Sequence, residues 1–357
     1  MALAAGKSLS GKVIEGYEVI DVLHNLPGRI AYRARNLELG RFEQLEILPQ
    51  SLAEDEERSE RFLREIRLLS SLQHPHIVTC YGAARLEGQL AMMVEMLEGV
   101  TLAERLELGP MDPVEATSVM RQLLAAAEAI HMRDVIHREI SPANVIITPD
   151  RVVKLSGFTF AKTAHDFGLT RAGTIVGDLD YSSPEQISGE QTLDARTDIY
   201  ALGAVFFALL AGRPPFEGKS QFDVMLAHVE SAPEPPSAVR PEIPAEFDDI
   251  VLRALAKKPE DRYTSAGEFL KAIDSLQAGR DAAATPNEIH SEEIRAESSR
   301  AITPGKVSAA QEISDWRKSE EFEMPAVTRS TKFAWVFLGA MMAILVFLAG
   351  LAISGKS

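Results

Sequence analysis

Val135 to Thr148 reads VIHREISPANVIIT, and the segment after it, Arg151 to Phe158, reads RVVKLSGF. Each is a strand-loop-strand pattern: short runs rich in Val and Ile, broken by a polar loop that holds His137, Arg138, Glu139, Ser141 and Asn144. To the N-terminal side, residues 17–97 alternate strand-like runs (YEVIDVL, RIAYRARN, QLEILP, LAMMVEML) with one amphipathic helix. In that helix, ERFLREIRLLSSL, the residues Phe62, Ile66, Leu69 and Leu72 fall on one face. To the C-terminal side, residues 101–275 are mostly helical patterns. The apolar run IYALGAVFFALLAG (Ile199 to Gly212) is too short to span a bilayer and is predicted to be a buried helix. The expected fold is α+β, with a small β-rich lobe leading into a larger helical lobe.

Composition sets the outer limits. The chain has 357 residues, 46% of them hydrophobic and 25% charged, as expected of a mostly globular protein. Its 37 basic and 52 acidic side chains give a formal charge of −15, which excludes a nucleic-acid or anionic-lipid surface spread over the whole molecule. The single Cys80 has no internal partner for a disulfide, in keeping with a reducing cytoplasm, and reads as a small buried hydrophobe. The start, MALAAGKSLSG, has no apolar core of the signal-peptide kind. His74-Pro75-His76 lacks nearby Cys or carboxylate partners and reads as a turn rather than a metal site.

Near the other end, Phe333 to Ile353 (FAWVFLGAMMAILVFLAGLAI) runs for 21 residues without a charge. As a helix it spans about 30 Å, the thickness of a hydrocarbon core. Trp335 suits an interfacial anchor, and Arg329 and Lys332 against Lys356 keep the bulk of the chain on the cytoplasmic side. Residues 276–332, rich in Ala, Ser, Glu, Thr and Pro, read as a flexible tether, and 354–357 as a short tail. Gly339 and Ala343 leave room for helix pairing, hence a possible homodimer.

Residues 14–275, with an N-lobe over about 14–97 and a C-lobe over about 98–275, resemble a protein kinase domain of the bacterial membrane-bound Ser/Thr kinase type. The motifs stand in the family's order. ERFLREIRLLSSLQHPHIV resembles the C-helix and its following turn, VIHREISPANVIIT the catalytic loop, and YSSPEQ the end of the activation segment. RTDIYALGAVFFALLAGRPPF resembles the central buried helix, and KKPEDRY the late segment with a structural arginine. The resemblance implies a bilobed fold with ATP and magnesium in the cleft, and the site residues are where this chain departs from it.

The catalytic-loop Asn of the family precedes its magnesium-binding Asp by about 13 positions, which from Asn144 leads to Gly157. Phe158 then stands at the family's Phe. Asp166-Phe167-Gly168 spells the motif in full but begins 22 positions beyond Asn144, inside a stretch resembling the activation loop, and reads as a chance copy. The metal position is thus expected to hold Gly157, with Asn144 as the one remaining ligand, a poor site for a hard cation.

The family's glycine-rich loop aligns with LHNLPGRIAYRA, its glycines replaced by His24, Leu26 and Arg29. Glycines there let backbone N–H groups reach phosphates, so Leu26 or Arg29 is expected to fill that space, with contact between Arg29 and a phosphate as the other option. An ordinary hairpin turning at Pro27-Gly28 is the plainer reading of the same residues. Ala31 is expected in the roof of the adenine pocket and Val94 at the gatekeeper-like position. The phosphate-binding lysine becomes Glu46. At 4 Å and an effective dielectric near 20, that swap turns each pair energy from about −4 to about +4 kcal/mol. Glu46 is also expected to repel Glu65 of the C-helix unless an arginine or a proton intervenes, leaving the helix easily held outward.

In the catalytic loop, Glu139 stands at the general-base Asp and Ser141 at the γ-phosphate lysine. Asp178 stands at the Thr that braces them. By contrast, Glu185 and Arg262 match the family's buried ion pair, Asp198 its central-helix carboxylate, and Arg138 its receiver for a loop phosphate. Framework positions match while most catalytic positions have changed. The expectation is a pseudokinase at the cell membrane, its kinase-like domain cytoplasmic, with no cofactor and with a protein partner such as an active kinase or a membrane protein. Two alternatives stand beside it: an active or weakly active ATP-dependent Ser/Thr kinase, with Glu139 as base and Asn144 with Asp166 or Asp178 on magnesium, and a nucleotide binder without chemistry.

Overall fold

The computed structural model describes residues 9–26, 28–53, 55–163, 178–190 and 192–284. The chain divides into a unit over Met1–Pro286 and a second over Asn287–Ser357. The second unit lies outside the described residues, and with it the candidate bilayer span Phe333–Ile353. Among the described residues, no helix is long and apolar enough to cross a membrane.

Six antiparallel strands form the N-terminal sheet: β1 (Val13–Ile14), β2 (Tyr17–Leu26), β3 (Arg29–Asn36), β4 (Phe42–Ile47), β5 (Cys80–Leu86) and β6 (Gln89–Glu95). Their spatial order is β1-β2-β3-β4-β6-β5. β2 and β3 meet in a hairpin, Leu26 opposite Arg29, with Gly28 at φ +84° making the reversal that the Pro27-Gly28 reading expects. The strand period of two then sorts the side chains. One face sends Tyr32, Ala34, Leu45 and Ile47 into a small core with Ala91 and Met93. The other presents Arg29, Gln44, Glu46, Met92 and Val94 to a cleft.

Between β4 and β5 run α1 (Gln50–Ala53) and α2 (Glu56–Ser71). Asp55 caps α2 by accepting from the Arg58 N–H, and Phe62, Ile66 and Leu69 pack inward with Leu72 behind them, the face the sequence predicts. Glu65 lies on this buried side too, only 3% exposed.

The helical lobe holds β7 (Val100–Thr101), α3 (Leu102–Glu107), α4 (Pro113–His131), β8 (Val135–Ile136), β9 (Val145–Ile147), β10 (Val153–Leu155) and β11 (Lys162–Thr163). It continues with α5 (Pro184–Ile187), α6 (Ala195–Ala211), α7 (Gln221–Glu230), α8 (Pro236–Val239), α9 (Glu246–Ala254) and α10 (Ala266–Ala284). Every residue of α6 from Thr197 to Ala211 is buried, as expected for a helix apolar all round. α4 and α9 pack against it, and α10 lies on α4. β7, β9 and β10 form one small sheet and β8 with β11 another. These two ribbons hold the loops of VIHREISPANVIIT and RVVKLSGF at the mouth of the cleft.

Candidate functional site

The cleft between the sheet, α2 and the β8–β11 loops has a volume of about 580 Å³. Val78, Met92, Val94, Leu97 and Ile146 line one part of it, and Arg29, Glu46, Glu65, Glu139 and Asp178 another. Register explains the charged part. Ala31 faces Glu46 across the β3–β4 pair, so Arg29, two residues from Ala31 on the same face, lies diagonal to Glu46 and within reach of it.

Arg29 uses that position fully. Its Nη1 and Nη2 donate to both Glu65 oxygens at 2.7 and 3.0 Å, and Nη2 also donates to the Thr159 hydroxyl at 3.0 Å. Its Nε lies 2.9 Å from Glu46 Oε2, an ion-pair contact without hydrogen-bond direction. Gln44 donates to the other Glu46 oxygen at 2.9 Å. Burial alone pushes the guanidinium down, but Glu65 and Glu46 outweigh it and hold its pKa raised. Burial raises Glu65, and Arg29 opposes that rise.

The sequence leaves Glu46 and Glu65 repelling unless an arginine or a proton intervenes, and Arg29 is that arginine: it bridges the two and keeps Glu65 buried, so α2 is not held outward. Glu65, Glu46 and Thr159 all engage Arg29 from within the chain.

The magnesium position is not merely short of a ligand. Gly157 follows β10 and sits at φ +80°, the left-handed region. A Cβ placed there would lie 2.4 Å from Asn144 Cγ and 2.5 Å from its Oδ1. The Asn144 amide therefore occupies the space of the missing side chain, and its Nδ2 donates to the Glu139 carbonyl at 2.8 Å. Asn144 O accepts from the Ser156 N–H at 2.9 Å, which fixes Gly157 beside it. Among the described residues, no group of three or more His, Cys, Asp or Glu can hold a metal ion. Gly157 brings no side-chain oxygen to this position, and Asn144 offers one neutral amide oxygen, a poor match for a hard cation that takes carboxylates. Asp166 lies outside the described residues.

Glu139, at the general-base position, is pushed up to about 7, first by burial and then by Glu65 and Asp178, while Arg29 opposes. Burial also raises Asp178. Ser141, where the family has a lysine, is 2% exposed and brings no charge. His24, exposed, pairs with Ala31, which is fully buried beneath the β2–β3 ribbon. Leu26 sits at the hairpin end opposite Arg29. Val94 is buried and lines the cleft.

The framework is intact. Asp198, fully buried on α6, accepts from the His137 and Arg138 N–H groups, both at 2.8 Å, and pairs with His131 Nε2 at 2.8 Å. These bonds hold Arg138 at φ +69°. Its Nε is buried without a hydrogen-bond partner among the described residues. His137 packs edge-on to Phe158 with ring centroids 4.6 Å apart. Arg262 donates to both Glu185 oxygens, at 2.7 and 2.8 Å, and to the carbonyls of Ala256, Arg196 and Lys257.

Sequence reasoning missed Thr159, Gln44 and the pair Lys154–Glu95, in which Nζ reaches both carboxylate oxygens at 2.8 and 3.0 Å. The strand period marks Gln44 as a cleft residue, since it is two positions from Glu46. Thr159 carries no such signal, because its place depends on how β10 leaves the small sheet.

Residues 31–273 match the protein kinase domain family. The chain is 36% identical over 251 residues to serine/threonine-protein kinase PknE of Mycobacterium bovis, covering 70% of this chain and 44% of that protein. It is 39% identical over 243 residues to PknB of Mycobacterium tuberculosis, covering 66% of this chain and 39% of that one. It thus spans less than half the length of these relatives. The crystal structure of the Mycobacterium tuberculosis PknI kinase domain superposes with a TM-score of 0.58 at 28% identity, over 77% of this chain and 99% of that one. With the motifs in order, the bilobed architecture and these matches in agreement, the chain belongs to the protein kinase domain family, among the bacterial Ser/Thr kinases.

Proposed function

We propose that this chain is a pseudokinase: a Ser/Thr kinase-like domain that performs no phosphotransfer and serves as an interaction or allosteric module. The observation that carries this reading is the geometry at Gly157, where the Asn144 amide fills the position a metal-binding carboxylate would need. The Arg29–Glu46–Glu65 cluster supports it, because the cation in that part of the cleft is already bound by the chain. Phosphoryl transfer in this fold depends on positioned metal ions and on a lysine–glutamate pair; Gly157 has no side chain to offer a metal, and Glu46 stands where that lysine would be. Residues 333–353 anchor the module in the cell membrane with the kinase-like domain on the cytoplasmic side, where an active kinase, a membrane protein or a second copy is its partner.

The direct test is a radiolabelled phosphotransfer assay on the full-length chain with Mg-ATP and a mixed Ser/Thr peptide pool. No transfer is expected. Transfer that Asn144→Ala abolishes overturns the proposal. A second reading, nucleotide binding without chemistry, draws support from the apolar wall of Met92, Val94 and Leu97. A melting shift with ATP that is independent of Mg²⁺ would select it over the first. Co-sedimentation of the full-length chain with vesicles, lost when 333–353 are deleted, tests the anchor.

A further inference from the structure

We infer that Arg29 is a built-in substitute for the ligand that orders a kinase cleft: a clamp that holds α2 inward with neither nucleotide nor metal. This rests on the pseudokinase reading and adds to it a conformational consequence. In catalytically active members of the fold, the ion pair between a strand lysine and the C-helix glutamate must be in place together with the metal-bound nucleotide. Here that cation has moved from β4 to the start of β3, and the chain itself supplies the anions on both sides of it.

The clamp joins segments far apart in sequence. Arg29 reaches Glu65 on α2 across 36 positions and Thr159, after β10, across 130. Through Nε it reaches Glu46 on β4. It therefore ties the hairpin, the sheet, the C-helix and the turn that begins the activation segment to one planar group. A guanidinium suits this role, since its donors leave in a fixed fork and serve several acceptors at once. All three charged partners are at least nine-tenths buried, with exposures of 8% for Arg29, 7% for Glu46 and 3% for Glu65. The Arg29 guanidinium also stands 5.9 Å from the Phe62 ring centroid, within cation–π range of α2. Two carboxylates around one cation leave the cluster with no charge to spare for a phosphate. The inward place of α2 consequently belongs to the folded chain and needs no ligand to create it.

Hydrogen–deuterium exchange of the full-length chain, with and without Mg-ATP, tests this. Arg29→Gln is expected to speed exchange of the α2 amides on the order of tenfold, and Mg-ATP to change wild-type α2 exchange by less than about twofold. The double variant Arg29→Gln/Glu46→Lys returns a cation to β4 beside Glu65 and is expected to restore α2 to near wild-type protection. Unchanged α2 exchange in Arg29→Gln overturns the inference, as does marked tightening of wild-type α2 by Mg-ATP. So does a double variant whose α2 stays loose. Should Arg29→Gln fail to fold, the double variant decides alone: protected α2 supports the clamp, and unprotected or unfolded α2 refutes it. Phosphotransfer by the same wild-type sample would refute the pseudokinase reading whatever α2 does, so the two failures are separable.

Discussion

Substituting Gly157 separates a metal site that lacks a ligand from one that is filled. A side chain at 157 meets two obstacles. The φ of +80° costs about 1 kcal/mol for any residue with a Cβ. That Cβ would also lie 2.4 Å from Asn144 Cγ, so Asn144 must rotate away. Rotation breaks its 2.8 Å bond to the Glu139 carbonyl, a loss of about 1 kcal/mol, and the crowding left behind adds about 1 kcal/mol. Gly157→Ala and Gly157→Asp are therefore each expected to lose about 3 kcal/mol. At roughly 2–4 °C per kcal/mol for a domain of this size, that lowers Tm by about 6–12 °C. Differential scanning fluorimetry of the full-length chain, with and without Mg-ATP, is the assay. Because Asn144 and the introduced carboxylate would compete for one space, Mg-ATP is expected to raise the Gly157→Asp midpoint by less than about 1 °C. A Gly157→Asp protein that melts at or above wild type, or that gains several degrees from Mg²⁺, refutes the reasoning. It would mean that Asn144 swings aside freely and that the position lacks only its carboxylate.

Arg262→Ala strands the buried Glu185 carboxylate, so thermal melting should report a loss of about 3–5 kcal/mol, and a stable variant would contradict the framework role. Asp198→Asn puts a neutral amide where a carboxylate accepts two backbone N–H groups and pairs with His131. A loss of about 2–3 kcal/mol is expected, with faster exchange at His137 and Arg138. Glu139 gives a pH test. Its folded pKa of about 7 stands above the ordinary 4.5, so between these values the folded state holds a proton that the unfolded chain has released. Stability then falls as pH rises through that window, by up to about 3 kcal/mol at and above pH 7. Glu139→Gln should flatten the Tm–pH curve from pH 5 to 8 and raise Tm at pH 8, and an unchanged slope would refute the burial argument.

The bilobed fold was legible because its signals are local: the inward face of α2, the all-apolar α6 and the strand alternation of β3 and β4 each follow from a period read along the chain. Gly157 was reached through the family's spacing from Asn144, and the structure sets the two residues side by side. The bridge by Arg29 was not. It depends on the register of β3 against β4, and the two-residue turn at Pro27-Gly28 pins β2 to β3 but says nothing about β4. Without that register, Glu46 and Glu65 read as a repelling pair unless an arginine or a proton intervened, and nothing in the sequence singled out Arg29 as that arginine. Once Ala31 is placed opposite Glu46, Arg29 lies diagonal to the carboxylate and the sign of the expectation reverses. The closing of the metal position by the Asn144 amide depends on a rotamer, which no sequence pattern carries.

The departures in the cleft are interlocked, so on the pseudokinase proposal no single substitution is expected to restore the chemistry. Lysine at 46 alone would set two cations against Glu65 and lose the Arg29–Glu46 contact, so Arg29 must also change. Aspartate at 157 alone collides with Asn144, whose amide in turn holds the Glu139 carbonyl. Aspartate at 139 would still face Asp178 and lack a lysine at Ser141. Each buried charge requires a partner or a proton, and in this cleft each has found one within the folded chain. The partnerships of Asp198 and of Glu185 with Arg262 hold the helical lobe in the form of its relatives. On the pseudokinase proposal, those of Arg29 and Asn144 take up, with protein atoms, the places the family gives to phosphate and metal. On that reading, the same requirement that preserves the fold opposes the reaction.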